Sequence, residues 1–75
     1  MEEEIQDYLD EHYILKIKVS FLEFRKYEIE MEFEKLICKI NFTYDNHYTF
    51  ESNMISLSKC IEDCILKYYR KENWK

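Results

Sequence analysis

Three cysteines and two histidines are the residues of this chain best suited to bind a metal or to act as a nucleophile. Cys60 and Cys64 lie four positions apart, and His47 or Cys38 would have to join them in a zinc site. That spacing is not the short loop knuckle of structural zinc sites, and a helix would place both thiols on its apolar stripe. Cys38 falls on the core side of a predicted strand, where no oxyanion donor is identified. We therefore expect no catalytic residue, no metal site and no cofactor.

The composition removes further classes of site. The chain contains no glycine and no proline, so Gly-rich phosphate loops, nucleophile elbows and Gly-clamped RNA loops are excluded. An odd number of cysteines without a disulfide framework favours reduced thiols and a cytoplasmic location. The acidic N-terminus is unlike a signal peptide, and no apolar run approaches the roughly 20 residues of a membrane span. We expect a non-enzymatic protein without a membrane partner.

Carboxylates are the more informative groups, and they form two sets. The stretch YEIEMEFEK, residues 27–35, has a glutamate at every second position: Glu28, Glu30, Glu32 and Glu34. Residues 1–15 hold six acidic residues and no Lys or Arg, although the net charge of the whole chain is only −5. Residues 57–75 instead hold five Lys or Arg against three acids. The charge is therefore dipolar, and its acidic end is the first helical segment.

The hydrophobic pattern places these charges on one α+β domain that spans residues 1–75. Apolar spacings of three and four predict a helix over residues 2–12, and alternation over 15–21 and 27–33 predicts two strands. The apolar positions then change parity, which requires a turn at Glu34-Lys35 or a bulge. A last helix follows, with Ser52 or Asn53 as its cap and Cys60, Ile61 and other apolar residues on its stripe.

The stretch YDNHY predicts a further hairpin, with Tyr44 opposite Tyr48 and Phe42 opposite Phe50. The expected fold is a two-layer antiparallel meander of three to four strands with both helices on one face. This order of elements resembles the double-stranded-RNA-binding domain. That family relies on basic residues at the start of its last helix, whereas SNMISLSK offers only Lys59. The resemblance therefore implies a shared architecture and no binding residues.

The strand register decides how many of the ladder carboxylates are neutralised. We expect the first hairpin to close with Phe21 opposite Tyr27 through the five-residue loop LEFRK, and the second to pair Phe33 with Leu36. The resulting outer-face pairs are Lys16 with Glu32, Lys18 with Glu30, Lys39 with Glu30 and Ile37 with Glu32. Opposite charges across strands contribute roughly 0.2–1 kcal/mol each. Only Glu28 and Glu34 then lack a lysine.

These patterns predict a small protein-binding module that covers a basic surface or nucleic-acid groove of another protein, by steric occlusion or charge mimicry. The absence of Gly, Pro and Ala, which have GC-rich codons, indicates an AT-rich genome. In its small size, acidity, lack of glycine and AT-rich coding the chain is similar in kind to phage-encoded inhibitors of bacterial defence, such as anti-CRISPR proteins, and it would then act in the host-cell cytoplasm. The expected contact residues are Glu3, Glu4, Asp7, Asp10, Glu11, Glu28 and Glu34.

Two other functions stay open at this point. Ile14, Ile37 and Leu66 are expected on the surface and could join two copies in a homodimer or larger structural assembly. The tail KYYRKENWK alternates aromatic residues with Lys67, Arg70 and Lys71, a pattern that binds single-stranded nucleic acid. The net charge of −5 argues against direct nucleic-acid binding as the main activity.

Overall fold

The chain forms a helix, a three-stranded antiparallel sheet and a second helix. The computed structural model describes the backbone of residues 1–33 and 36–73 and the side chains of residues 1–32 and 36–68. The elements are α1 (Glu2–His12), β1 (Lys16–Glu23), β2 (Lys26–Phe33), β3 (Leu36–Thr43) and α2 (Phe50–Asn73). The strands lie in the order β1-β2-β3. The predicted α+β architecture is confirmed.

The sheet has the register that the charge and hydrophobic patterns predict. Phe21 lies opposite Tyr27 and Phe33 lies opposite Leu36. The outer-face pairs are Lys16 with Glu32, Lys18 with Glu30, Lys39 with Glu30 and Ile37 with Glu32, as expected. The connection Glu34-Lys35, predicted as a turn or a bulge, lies outside the described residues.

The β1–β2 hairpin closes more tightly than the predicted five-residue loop. A register shift between Phe21 and Glu23 allows pairing to continue to Glu23 and Lys26, which also form an ion pair at 2.9 Å. Only two residues remain for the turn, and the second, Arg25, has φ 64. This left-handed conformation favours glycine, which the chain lacks. Arg25 occupies this position, and its guanidinium lies over the Phe24 ring, 4.7 Å from the ring centroid.

The expected hairpin after β3, with its fourth strand, is wrong. Tyr48 lies in a turn and Phe50 begins α2, so neither pairs with the end of β3. The predicted caps are also wrong, because Thr49 is the residue that caps the helix. Its Oγ1 accepts a hydrogen bond from the Ser52 N–H at 3.1 Å, and its carbonyl accepts the first helical bond from Asn53. A Thr-x-x-Ser capping arrangement therefore overrides the strand pattern.

The core lies between the sheet and both helices. Its fully buried side chains come from every layer: Ile5, Leu9, Ile29, Met31, Met54, Leu57 and Ile61. The two helices also meet directly, because the Tyr8 ring lies edge-on to Phe50 with centroids 6.2 Å apart. Some residues expected on the apolar side are exposed instead: Phe21, near the turn end of β1, Leu36, at the start of β3, and Cys60, on the flank of α2.

Candidate protein-binding surface

The carboxylates expected to bind a partner on α1 share one exposed face of that helix. We define this acidic face as Glu3, Glu4, Asp7, Asp10 and Glu11, all of which are exposed. The helix is amphipathic, and the complete burial of Ile5 and Leu9 against the sheet turns these positions toward solvent. The structure therefore brings together five of the seven predicted contact residues.

The acidic face has little charge compensation. Within the described part of the chain, no Lys or Arg forms an ion pair with its carboxylates, although Glu4 lies 3.1 Å from the Met1 amino group. Asp10 accepts a hydrogen bond from Gln6 Nε2 at 3.0 Å. Like charges at helical spacing four destabilise a helix by about 0.2–0.5 kcal/mol per pair. The helix dipole favours Glu3, which lies in the first turn, but helix stability does not explain Asp7 and Glu11.

The underside of α1 is attached to the outer edge of β1, which holds the acidic face in place. Gln6 Nε2 donates to the Ile17 carbonyl at 2.7 Å, and Gln6 Oε1 accepts from the Val19 N–H at 2.8 Å. One turn earlier, Glu2 Oε2 accepts from the Phe21 N–H at 2.6 Å. These side chains satisfy backbone groups of the strand edge that would otherwise face water. Glu2 therefore has a structural role that the other acidic residues of its turn do not share.

A cluster of exposed apolar side chains lies beside the first turn of α1. We define this apolar tip as Phe21, Leu22 and Phe24, which are 57%, 49% and 74% exposed. The Phe21 ring packs edge-on against Tyr27, with centroids 5.9 Å apart. The hydrogen bond from Phe21 to Glu2 makes the tip continuous with the acidic helix. The apolar alternation of the strands does not predict this cluster, although three large apolar residues around a turn are themselves a signal.

A shallow depression of about 190 Å³ separates the apolar tip from the loop after β3. Its walls include Phe24, Tyr27, Tyr44 and Asn46. With its amide oriented to satisfy both groups, Asn46 accepts hydrogen bonds from Arg25 Nε and Nη2 at 3.1 and 3.2 Å. Burial, together with the nearby Glu2 and Glu4 carboxylates and Tyr44, raises the pKa of the Tyr27 hydroxyl above its ordinary value of 10.0. The depression therefore combines aromatic walls with nearby carboxylates and with the Arg25 guanidinium.

The glutamate ladder on the outer sheet face is compensated to a greater extent than the helix. Lys39 Nζ lies 3.7 Å from Glu30 and 3.9 Å from Glu28. The expectation that Glu28 lacks a lysine is therefore wrong, because Lys39 reaches diagonally across the strands. Glu34, the remaining predicted contact residue, lies outside the described residues. We accordingly centre the candidate surface on α1 and the apolar tip.

The cysteines occupy positions that differ in exposure. Cys60 is exposed, whereas Cys38 and Cys64 are half-buried. Burial, followed by a hydrogen bond with Cys38, raises the pKa of the Cys64 thiol above its ordinary value of 9.0. Among the side chains of residues 1–32 and 36–68, no three His, Cys, Asp or Glu groups are placed so as to hold a metal ion. In the basic tail Lys67 is exposed, while the side chains of Arg70 and Lys71 lie outside the described part.

No known protein family, curated protein or solved structure matches this chain. Among the described residues, neither helix is both long and apolar enough to cross a membrane.

Proposed function

We propose that this protein is a non-enzymatic binding module that covers a basic surface of another protein. The observation that carries the proposal is an exposed helix face of five carboxylates that form no ion pair with a described Lys or Arg, adjoining three exposed apolar residues. The acidic part favours encounter with a basic partner, since complementary charge raises association rates. The apolar part supplies area that can be buried after encounter.

The two parts of the surface have different energetic roles. Exposed carboxylates at a rim mainly change the association rate and its salt dependence. Aromatic side chains near the centre of an interface carry most of the affinity, with typical losses of about 2 kcal/mol or more on truncation to alanine. Phe24 is the most exposed residue of the apolar tip and has no role in the core. It is therefore the expected anchor, with the acidic face beside it.

The partner class that fits best is a protein with a nucleic-acid groove, because such a groove is lined with Lys and Arg. A module bound there excludes nucleic acid by occupying its site. We assign the protein to the class of phage-type inhibitors that act on host nucleic-acid-handling or defence complexes, of the anti-CRISPR kind. Small size, a net charge of −5 and the exposed acidic face support this assignment.

The test compares capture of a partner from host lysate by the wild type and by the triple variant Glu3→Lys, Asp7→Lys, Glu11→Lys. The side chains of these three residues accept no hydrogen bond and form no ion pair with another described residue, so the fold should persist. The matched control changes three exposed acids of α2 in the same way, at Glu51, Glu62 and Asp63. Both variants change the net charge equally.

The expected result is that the wild type and the α2 control capture the same basic protein while the α1 variant loses it. A nucleic-acid duplex should then compete for the captured partner, and Phe24→Ala should increase the dissociation rate. Equal affinity of the α1 variant and the wild type for that partner would show that the acidic face is not the interface. Simultaneous binding of nucleic acid and this protein would refute occlusion.

A further inference from the structure

The two edges of the sheet differ in whether other residues hydrogen-bond to their outward backbone groups. On β1, side chains of α1 bond to the Ile17 carbonyl and to the N–H groups of Val19 and Phe21. β3 is the other edge strand, eight residues long, and within residues 1–33 and 36–73 it pairs only with β2. An edge strand left open in this way is a template for pairing with another strand.

The backbone groups that β3 presents at its open edge can be identified from the ladder. The Tyr44 N–H donates to the Arg25 carbonyl at 2.7 Å, directly opposite in the continued register. Because hydrogen-bonded and non-bonded pairs alternate, even-numbered residues of β3 bond to β2 and odd-numbered residues point outward. The outward residues are Ile37, Lys39, Asn41 and Thr43. In the described part of the chain, no group donates to or accepts from their backbone.

The β3 edge also lacks the features that normally prevent pairing with another strand, namely free charged side chains, proline and bulges. Its single charged residue, Lys39, is directed across the outer face toward Glu28 and Glu30. Proline is absent from the chain, and a register shift is recorded in β1 but not in β3. On the inner face, Leu36 is exposed and Cys38 and Ile40 are only half-buried, so α2 leaves this margin partly uncovered.

We propose that β3 pairs antiparallel with β3 of a second copy of this chain, centred on Ile40, so that two sheets join into one of six strands. Outward residues must pair with outward residues, which limits the register. Centring on Ile40 places Ile37 opposite Thr43 and Lys39 opposite Asn41 of the second copy. This register uses all four outward residues of each strand and forms about eight backbone hydrogen bonds.

Electrostatic repulsion disfavours the competing register and is small for pairing through the β3 edge. A pairing centred on Lys39 has nearly the same overlap, but it would place the two Lys39 side chains directly opposite each other, which is destabilising. The acidic helix α1 lies along β1, at the far side of the sheet from the junction. The two β1 strands would be five strand spacings apart, about 24 Å, which exceeds the Debye length of about 8 Å at physiological salt. The most acidic parts of the two chains are thus kept apart.

The junction also covers apolar surface on the helix side of the sheet. In the proposed register, Ile40 lies beside its counterpart, and Cys38 and Leu36 of the second copy lie beside Phe42 and Tyr44. A groove of about 310 Å³ opens at this end, lined by residues that include Phe42, Thr43, Ser52 and Ser56. Leu36 of the second copy is directed toward this region. Pairing therefore adds apolar burial to backbone hydrogen bonding.

The test is sedimentation velocity or light scattering over micromolar to near-millimolar concentrations, with two opposite substitutions at one position. Asn41→Lys puts a cation opposite Lys39 of the second copy, twice per dimer, whereas Asn41→Glu puts a carboxylate there. Within one chain, Asn41 lies opposite Glu28, so Asn41→Lys should favour the monomer fold, which far-UV circular dichroism would check. We expect a wild-type dimer, a dissociation constant raised about tenfold by Asn41→Lys, and one lowered by Asn41→Glu.

The sign of the effect distinguishes this interface from a general effect of net charge. With a net charge of −5 per chain, nonspecific repulsion predicts that Asn41→Lys strengthens association and that Asn41→Glu weakens it. That opposite order would overturn the proposal, as would a wild type that stays monomeric at every concentration. Since α1 and the apolar tip are not part of the junction, loss of dimerisation leaves the proposed binding function intact, and the two tests fail independently.

Discussion

Replacing Asn53 with alanine should destabilise the fold far more than an ordinary helix-surface substitution. Asn53 lies in the first turn of α2, is 4% exposed, and its amide binds the loop that follows β3. Its Oδ1 accepts from the Asp45 N–H at 2.8 Å, and its Nδ2 donates to the carbonyls of Asp45 and Thr49, both at 2.9 Å. This side chain therefore sets where β3 ends and α2 begins.

The loss in free energy of unfolding depends on which hydrogen bonds the backbone partners of Asn53 retain after the substitution. The Asp45 carbonyl retains the Tyr48 N–H at 3.2 Å, and the Thr49 carbonyl retains the Asn53 N–H at 3.1 Å. Only the Asp45 N–H loses its partner, which costs about 1–3 kcal/mol, and two further bonds are lost at about 0.5–1.5 kcal/mol each. Alanine returns about 0.5 kcal/mol through its higher helix propensity. Together these contributions span about 1.5–5.5 kcal/mol. Because the three hydrogen bonds are only part-buried, we expect a net loss in the lower half of that range, about 2–3 kcal/mol, or roughly 10–20 °C in Tm for a domain of this size.

Urea unfolding followed by circular dichroism measures this difference, with Ser56→Ala as the control. Ser56 is exposed and lies on the same helix, and its hydroxyl forms no hydrogen bond with a described residue. Its replacement should therefore be neutral or slightly stabilising. Hydrogen exchange at the Asp45 amide gives a local readout, since it should become faster in Asn53→Ala. Similar free energies of unfolding for the two variants, with Asp45 still protected, would refute the reasoning.

Two further predictions concern the edge of β1 and the response to alkaline pH. Gln6→Ala removes both hydrogen bonds to the β1 edge and should lower the free energy of unfolding by about 1–3 kcal/mol. The control Glu3→Ala, on the exposed face, should change this free energy by less than about 0.5 kcal/mol. Equal free energies of unfolding for the two variants in urea titrations would argue against a role for Gln6. The pKa values of Cys64 and Tyr27 are raised mainly by burial, so the folded state holds these protons more tightly than the unfolded state. The contribution of these two protonated groups to the free energy of unfolding should be fully present below pH 9.0. It should decline as the pH rises above 9.0 for Cys64 and above 10.0 for Tyr27. Tyr27→Phe should flatten the upper part of this decline, and an unchanged slope would contradict the assignment to Tyr27.

The register of the sheet was predictable because alternation leaves few choices. In a strand, a shift of one residue would move a whole apolar set to the wrong face. The odd apolar positions of β2 and the even ones of β3 therefore determine the pairing, including Lys39 opposite Glu30. The same argument failed after Tyr44, since apolar parity alone does not distinguish a strand from the start of a helix. There the hydrogen bonds of Thr49 and Asn53 decide the structure.

For the candidate binding surface, helix periodicity was sufficient to place the acidic residues on one exposed face. It could not show that Gln6 and Glu2 bind the β1 edge, because those contacts join residues 11 to 19 positions apart. Nor could it show that Lys39 reaches Glu28, since side-chain direction across a sheet depends on the packed neighbours.

The sequence by itself determined the order of elements, the strand register and the acidic face of the first helix, because these depend on periodicities that act over a few residues. Only the tertiary structure decided that Phe21 and Phe24 are exposed beside that helix and that one sheet edge is satisfied while the other is open. The physical reason is that exposure and edge pairing depend on which element lies next to which. That arrangement is set by the burial of the whole core at once.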